Sequence, residues 1–292
     1  MKPKTALIVG ATDGIGKQMA ILLKKEGYNV LIIGRNPEKL RIMKRLLGND
    51  AKTYKADLSL LAETRRVGEE IASQHESIDL IIHTADVLVT KRIETIEGHE
   101  VSFATNYLSR FLLNSLLLNC LQHSANARII HVAAAGMPFG LSKENFPVGK
   151  SASGFAGHNV GQTSNDYYGL EWKERYPSIG INILNPGVVD TSIRRQGNIE
   201  GMLKVVLKMM EFLSRPISTS VEDYAKIVLD IALGRNQAAQ TNVLIDRKGK
   251  PLQPRKDRLD KSLREYVWKI SEDLVKPPYM TMKVSVSQSI LG

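Results

Sequence analysis

The stretch that most constrains this chain is Ala6 to Gly16, A-L-I-V-G-A-T-D-G-I-G, which runs straight into Lys17-Gln18-Met19-Ala20-Ile21-Leu22-Leu23. An apolar run, a glycine-rich turn and an amphipathic segment read as strand, tight loop and helix. Gly10, Gly14 and Gly16 let the backbone turn sharply and bring bare N–H groups, with those of Thr12, Asp13 and Ile15, close to a ligand at the positive end of the following helix. The loop is therefore read as a pyrophosphate site. Its spacing, G-x-x-x-G-x-G, differs from the commoner dinucleotide fingerprint G-x-G-x-x-G but serves the same mechanism.

The rest of the chain repeats the alternation. Asn29 to Gly34 is a continuous apolar strand of the kind buried on both faces of a parallel sheet. A helix over 37–48, opened by Pro37 and closed by Gly48, follows it. Strands are expected at 53–56, 78–82, 127–132, 179–184 and 242–246, with helices over 59–75, capped by Ser59, and 219–234. Strand and helix in turn imply an α/β fold, a doubly wound parallel sheet in three layers, with ligands at the carboxyl ends of the strands. A cation after the second strand suits a ribose 2'-phosphate, where an acid would hold a 2'-hydroxyl. Gly34-Arg35 ends that strand, with Lys39, Arg41 and Lys17 nearby. The expected cofactor is thus NADP(H) in preference to NAD(H), against the alternative that these charges form a solvated helix face.

The glycine loop resembles the T-G-x-x-x-G-x-G signature of the short-chain dehydrogenase/reductases, with Val9 where that family usually has threonine. The resemblance implies a Rossmann fold and NAD(P)-dependent oxidoreductase chemistry. It also implies that Asp57, followed by Leu58, contacts the adenine, and that His83-Thr84-Ala85-Asp86 stands where the family has N-N-A-G, with Ala85 against the cofactor. Asp86 in place of glycine is a departure, tolerable beside a dinucleotide if the carboxylate points outward. Thr95 to Leu113 is similar to the family's fourth helix, which makes Asn106 the asparagine that holds a catalytic water. Asn185-Pro186-Gly187-Val188-Val189-Asp190-Thr191 resembles the P-G-x-x-x-T turn, so that Pro186, Gly187, Val188 and Thr191 are expected along the nicotinamide face.

Between these segments the pattern breaks. The family's catalytic serine is replaced by Ala133-Ala134-Ala135 after Val132, and the stretch where the family has Y-x-x-x-K, Lys150 to Gln162, contains no tyrosine. Tyr167 and Tyr168 come five or six residues before Lys173 and face another side of the helix, so each is read either as packing or as a substitute. Tyr168 is the expected replacement proton donor, beside Asn106.

Composition bounds the rest. A chain of 292 residues with 43% hydrophobic content suits one α/β core, here read as a single domain over 1–275 with a disordered tail over 276–292. The net charge of +10 is concentrated in residues 241–292, with 11 Lys/Arg against 6 Asp/Glu, and in 24–55, with 9 against 3. Without an aromatic-interleaved basic stripe, no nucleic-acid partner is expected. The single cysteine, Cys120, and the start M-K-P-K-T point to a cytoplasmic setting. No uncharged apolar run reaches a membrane-spanning length, which leaves at most peripheral membrane contact.

Glu200 to Leu213 is a methionine-rich amphipathic helix read as a lid over a lipophilic pocket, with a core helix or a membrane-surface helix as alternatives. Residues 254–275 carry Tyr266, Trp268 and Ile270 on a basic helix similar to the C-terminal helix of retinol-dehydrogenase-like members. Two functions follow from the residues. One is an NADP(H)-dependent oxidoreductase acting on a carbonyl or alcohol of an apolar small molecule; the other is a cofactor-binding sensor or scaffold that has lost its chemistry. No metal site is expected, and the resemblance implies a homo-oligomer.

Overall fold

A computed structural model of the chain describes residues 3–187 and 219–277. The chain begins with β1 (Thr5–Val9), α1 (Gly14–Lys25), β2 (Asn29–Gly34), α2 (Pro37–Leu47), β3 (Lys52–Lys55), α3 (Leu61–Gln74) and β4 (Leu80–His83). After a loop come α4 (Val101–Phe103), a π turn (Ala104–Leu108), α5 (Ser109–Leu116), α6 (Leu118–Gln122) and β5 (Arg128–Val132). The long α7 (Gly154–Arg175) leads to β6 (Gly180–Leu184). Beyond residue 218 lie α8 (Val221–Ala232), α9 (Gln237–Thr241), β7 (Leu244–Ile245) and α10 (Lys261–Leu274). The expected lid over 200–213, Val188 and Thr191 lie outside the described residues, as does the tail from 278 onward.

The strands form a seven-stranded sheet in the order β3-β2-β1-β4-β5-β6-β7, and every pairing is parallel. The doubly wound sheet expected from the alternation is therefore the fold. Because side chains alternate along a strand, Ala6 and Ile8 face one layer and Leu7 and Val9 the other. The first layer is closed by α1, α2 and α8, through Met19, Leu40 and Tyr224 among others. The second is closed by α3, the helix around the π turn, α7 and α10, through Val67, Phe111, Tyr168 and Trp268. Each fully buried Leu, Ile or Phe in these layers contributes roughly 1.5–3 kcal/mol.

Some element ends differ from the pattern reading, for local reasons. The helix expected to start at Ser59 begins at Leu61, and Ser59 is not its cap. Asp57 holds Ser59 by both backbone N–H and hydroxyl at 3.0 and 2.8 Å, so Ser59 belongs to a turn. Glu97, distant in sequence, accepts from Leu61 N and Ala62 N at 2.6 and 2.9 Å and does the capping instead. The last expected helix divides into a short 3₁₀ turn (Lys256–Leu259) and α10, where Asp260 accepts from Leu263 N.

α7 carries Gly154, Gly157 and Gly161 on the side that meets the loop after β4 and the π turn. A Cβ on Gly157 would lie 2.2 Å from Glu100 Oε2, and one on Gly154 2.4 Å from the Lys91 carbonyl oxygen. These close approaches bring the first two turns of α7 against the π turn and the loop that leaves β4. A π turn at such a contact is a common feature of functional sites.

Candidate active site

One cleft of about 410 Å³ opens at the carboxyl ends of the first strands. The glycine loop forms one wall: Gly10, Thr12, Asp13, Gly14, Ile15 and Gly16 all line it. Gly10 has φ +89°, and a Cβ there would lie 2.6 Å from Ala85 N. A Cβ on Gly16 would lie 2.4 Å from the Gly10 carbonyl oxygen and the same distance from Thr84 Oγ1. Both positions therefore need glycine. The hydroxyl that Val9 lacks is supplied from across the turn, where Thr84 Oγ1 donates to Val9 O at 2.9 Å.

Arg35, Asp57, Leu58 and Ala85 also line the cleft, so the adenosine-side residues expected from sequence come together with the loop. Three carboxylates share this surface, yet each has a partner. Asp13 caps Gly14 N at 2.8 Å and meets Lys39 Nζ at 3.2 Å, Asp57 holds Ser59, and Asp86 accepts from Gln162 Nε2 at 3.0 Å. Arg41 is taken by Glu38 at 2.6 Å. Arg35 is exposed and has no hydrogen bond or ion pair among the described residues, which leaves it the available cation at the cleft edge. Lys17 is half-buried on α1 and does not line the cleft.

Pro186 and Gly187 sit at the carboxyl end of β6 but are not among the residues lining the cleft. Gly187, at φ +63°, donates its N–H to Asn185 Oδ1 at 2.9 Å, and Asn185 Nδ2 reaches Ala135 O at 2.8 Å, tying the ends of β5 and β6 together.

The catalytic wall departs from the expectation. Tyr168 does not face the cleft: it is 2% exposed, its ring stacks between His131 and Trp268, and its hydroxyl accepts from Asn114 Nδ2 at 3.0 Å. Burial pushes its phenol well above the usual range. Tyr168 is corrected from proton donor to core residue. Lys173 is on the surface, with Nζ donating to Thr241 O at 2.5 Å.

Asn106 is fully buried in the π turn, and its polar atoms are already taken. Its Oδ1 accepts from Val87 N at 2.8 Å, and its Nδ2 reaches Val87 O at 2.9 Å and His158 Nδ1 at 3.1 Å. Its carbonyl, the remaining group able to hold a water, accepts from Asn165 Nδ2 at 3.2 Å. Asn106 thus clasps the loop after β4 rather than presenting a free group.

Asp86 does not meet the condition of an outward-pointing carboxylate, because it is turned inward. Its side chain is 21% exposed, between Gln162 and His158 Nδ1 at 3.7 Å. The buried Arg110 adds positive potential here; it donates to Ala85 O at 2.8 Å, and burial lowers its pKa to about 10 although Asp86 opposes the shift. Below this wall runs a buried polar chain. His83 Nε2 meets Asn114 Oδ1 at 2.8 Å, Asn114 Nδ2 meets His131 Nε2 at 3.1 Å, and His131 Nδ1 meets Asn165 Oδ1 at 2.8 Å. Burial drives the His83 pKa down to about 3 and that of His131 well below its normal value, so both rings are neutral. Sequence reasoning passed over His158 and Gln162, whose signal was their four-residue spacing on one helix face.

Residues 4–200 match the short chain dehydrogenase family. Mouse retinol dehydrogenase 13 is 30% identical over 202 residues, covering 66% of this chain and 60% of the relative, so the chain spans less than two thirds of that protein. Human retinol dehydrogenase 14 is 24% identical over 296 residues, covering 94% of this chain and 87% of the relative. A Shigella flexneri short chain dehydrogenase structure solved with NADP superposes with a TM-score of 0.61 at 18% identity, covering 84% of this chain and 97% of that one. The chain belongs to the short chain dehydrogenase family. The close-approach glycines, at the start of α1, fit a dinucleotide. When bound there, the cofactor supplies the hydride chemistry. Gly10, Gly14 and Gly16 would hold the pyrophosphate, and Asp57 and Leu58 would border the adenine.

Proposed function

We propose that this protein is an NADP(H)-dependent oxidoreductase acting on a carbonyl, or the corresponding alcohol, of an apolar small molecule. The observation that carries the cofactor choice is Arg35, at the cleft edge with no partner among the described residues, while Lys39 and Arg41 are neutralised by Asp13 and Glu38. A 2'-phosphate can take charge-assisted hydrogen bonds from its guanidinium, each worth roughly 1.5–3 kcal/mol. The apolar substrate is supported by the far end of the cleft, lined by Val87, Val89, Ile93 and Val101. The names of the retinol dehydrogenase relatives agree with such a substrate. No described helix is long and apolar enough to cross a membrane, and a cytoplasmic setting belongs to this proposal.

The test is a turnover screen, following loss of NADPH or NADH absorbance with a panel of apolar ketones and aldehydes. Turnover with NADPH and much slower turnover with NADH is expected. Equal use of both cofactors would remove the role given to Arg35, and turnover confined to polar or charged carbonyls would remove the apolar substrate.

A further inference from the structure

Behind the wall of the cleft that faces away from the glycine loop stands one titratable ring that the site described above leaves without a task. His158, on the second turn of α7, touches two residues that line the cleft: its Nδ1 lies 3.0 Å from Val87 O and 3.7 Å from Asp86 Oδ1. Its side chain is 15% exposed, and Nε2 has no hydrogen-bond partner among the described residues.

We propose that His158 exchanges the proton with the substrate oxygen, with Asp86, Gln162 and Asn106 as its positioning residues. This rests on the oxidoreductase reading above. The surroundings of Nδ1 suit a ring that changes protonation. In the charged ring, and in the neutral ring left when Nε2 gives up its proton, Nδ1 keeps its hydrogen and donates to Val87 O at 3.0 Å. Either state therefore keeps a partner, and neither leaves a buried polar atom unsatisfied. The Asp86 carboxylate lies 3.7 Å from Nδ1, and Gln162 Nε2, one helical turn beyond His158, fixes that carboxylate at 3.0 Å. Two other charged groups face this turn. Arg110 is buried beside Asp86, and Glu100 Oε2 packs against Gly157 while accepting from Phe103 N at 2.8 Å. His158 and Gln162 are four residues apart, the spacing of the missing Y-x-x-x-K pair, so they share the face such a pair would use.

In the reductive direction the substrate carbonyl carbon gains a hydride from reduced NADP(H), and the C=O π bond breaks. Its oxygen takes the proton from Nε2 and becomes the alcohol. The two electrons come from the nicotinamide, which is left oxidised, and the neutral ring recovers a proton from water. Oxidation runs the same transfers backward.

Two experiments on the full chain test this. Treating the cofactor-free protein with diethyl pyrocarbonate and mapping the peptides by mass should show modification of His158, with the buried His83 and His131 untouched. In steady-state assays with NADPH, His158→Ala should lower kcat about 10² to 10⁴-fold with unchanged NADPH affinity, and added imidazole should restore at least about tenfold. Asp86→Asn, which keeps the shape, should lower kcat about tenfold and serves where the alanine variant misfolds. An inert His158, unimpaired kcat in His158→Ala, or a loss that imidazole does not relieve would each overturn the proposal while a parent that turns over keeps the reductase reading. A parent that oxidises NADPH with no carbonyl would overturn both.

Discussion

The two walls of the cleft are built by different means. The glycine-loop wall works through backbone: its requirement is that nothing larger than hydrogen stands at Gly10 and Gly16, and its functional groups are N–H bonds at a helix start. The opposite wall works through side chains, with Asn106, Asp86, His158, Gln162 and the neutral histidines beneath them linked by hydrogen bonds. A backbone site tolerates little change in sequence because its chemistry is geometric. A side-chain network can be rebuilt residue by residue, provided every buried polar atom finds a partner. That is why the first wall keeps a familiar pattern and the second does not.

The comparison is broken most severely at Gly16. Gly16→Ala places a methyl 2.4 Å from the Gly10 carbonyl oxygen and should weaken NADPH binding at least about 10³-fold, measured by calorimetry, with the thermal transition retained. Unchanged affinity would show that the loop is not the phosphate site.

A second test falls on the buried histidines. Burial depresses His83 and His131, so on acidification through pH 6.5 the unfolded chain takes up two protons that the folded chain refuses. Stability should be full above pH 6.5 and fall on acidification toward about pH 3. For the pair the loss approaches roughly 2.7 kcal/mol per pH unit once the unfolded rings are protonated, readable by urea unfolding between pH 5.5 and 4.5. His83→Asn should halve that slope; a slope identical to the parent's would refute the assignment.

Sharpening the first wall, Arg35→Ala should reduce NADPH affinity about tenfold to hundredfold and leave NADH affinity unchanged. A parallel loss for both cofactors would mean that Arg35 supports the fold or the pyrophosphate instead. The smallest effect belongs to Tyr168→Phe, which removes one hydrogen bond to Asn114 and should cost about 1 kcal/mol of stability with kcat unaltered. A tenfold fall in kcat would reinstate Tyr168 in the chemistry.

The parallel sheet was legible because strands buried on both faces leave unbroken apolar runs such as Val30 to Ile33 and Ile129 to Ile130. The glycine loop and Arg35 were legible because their spacing along the chain is also their spacing in the site. α7 was not, since Gln162, Thr163, Ser164, Asn165 and Asp166 are all buried, and a helix that buries polar residues all round gives no amphipathic stripe. Tyr168 looked available for the same reason: only its position against Trp268, a hundred residues later in the chain, shows that it is packed. The inward turn of Asp86 depends on Gln162, a partner no local pattern reveals.

The most direct test of the account follows the hydrogen itself. NADPH labelled with deuterium at the transferable position of the nicotinamide is mixed with the protein and an apolar ketone, and the alcohol is analysed by mass spectrometry. The account predicts an alcohol carrying deuterium on the former carbonyl carbon, formed faster from labelled NADPH than from labelled NADH. NADPH that binds while no label reaches any carbonyl carbon would contradict it.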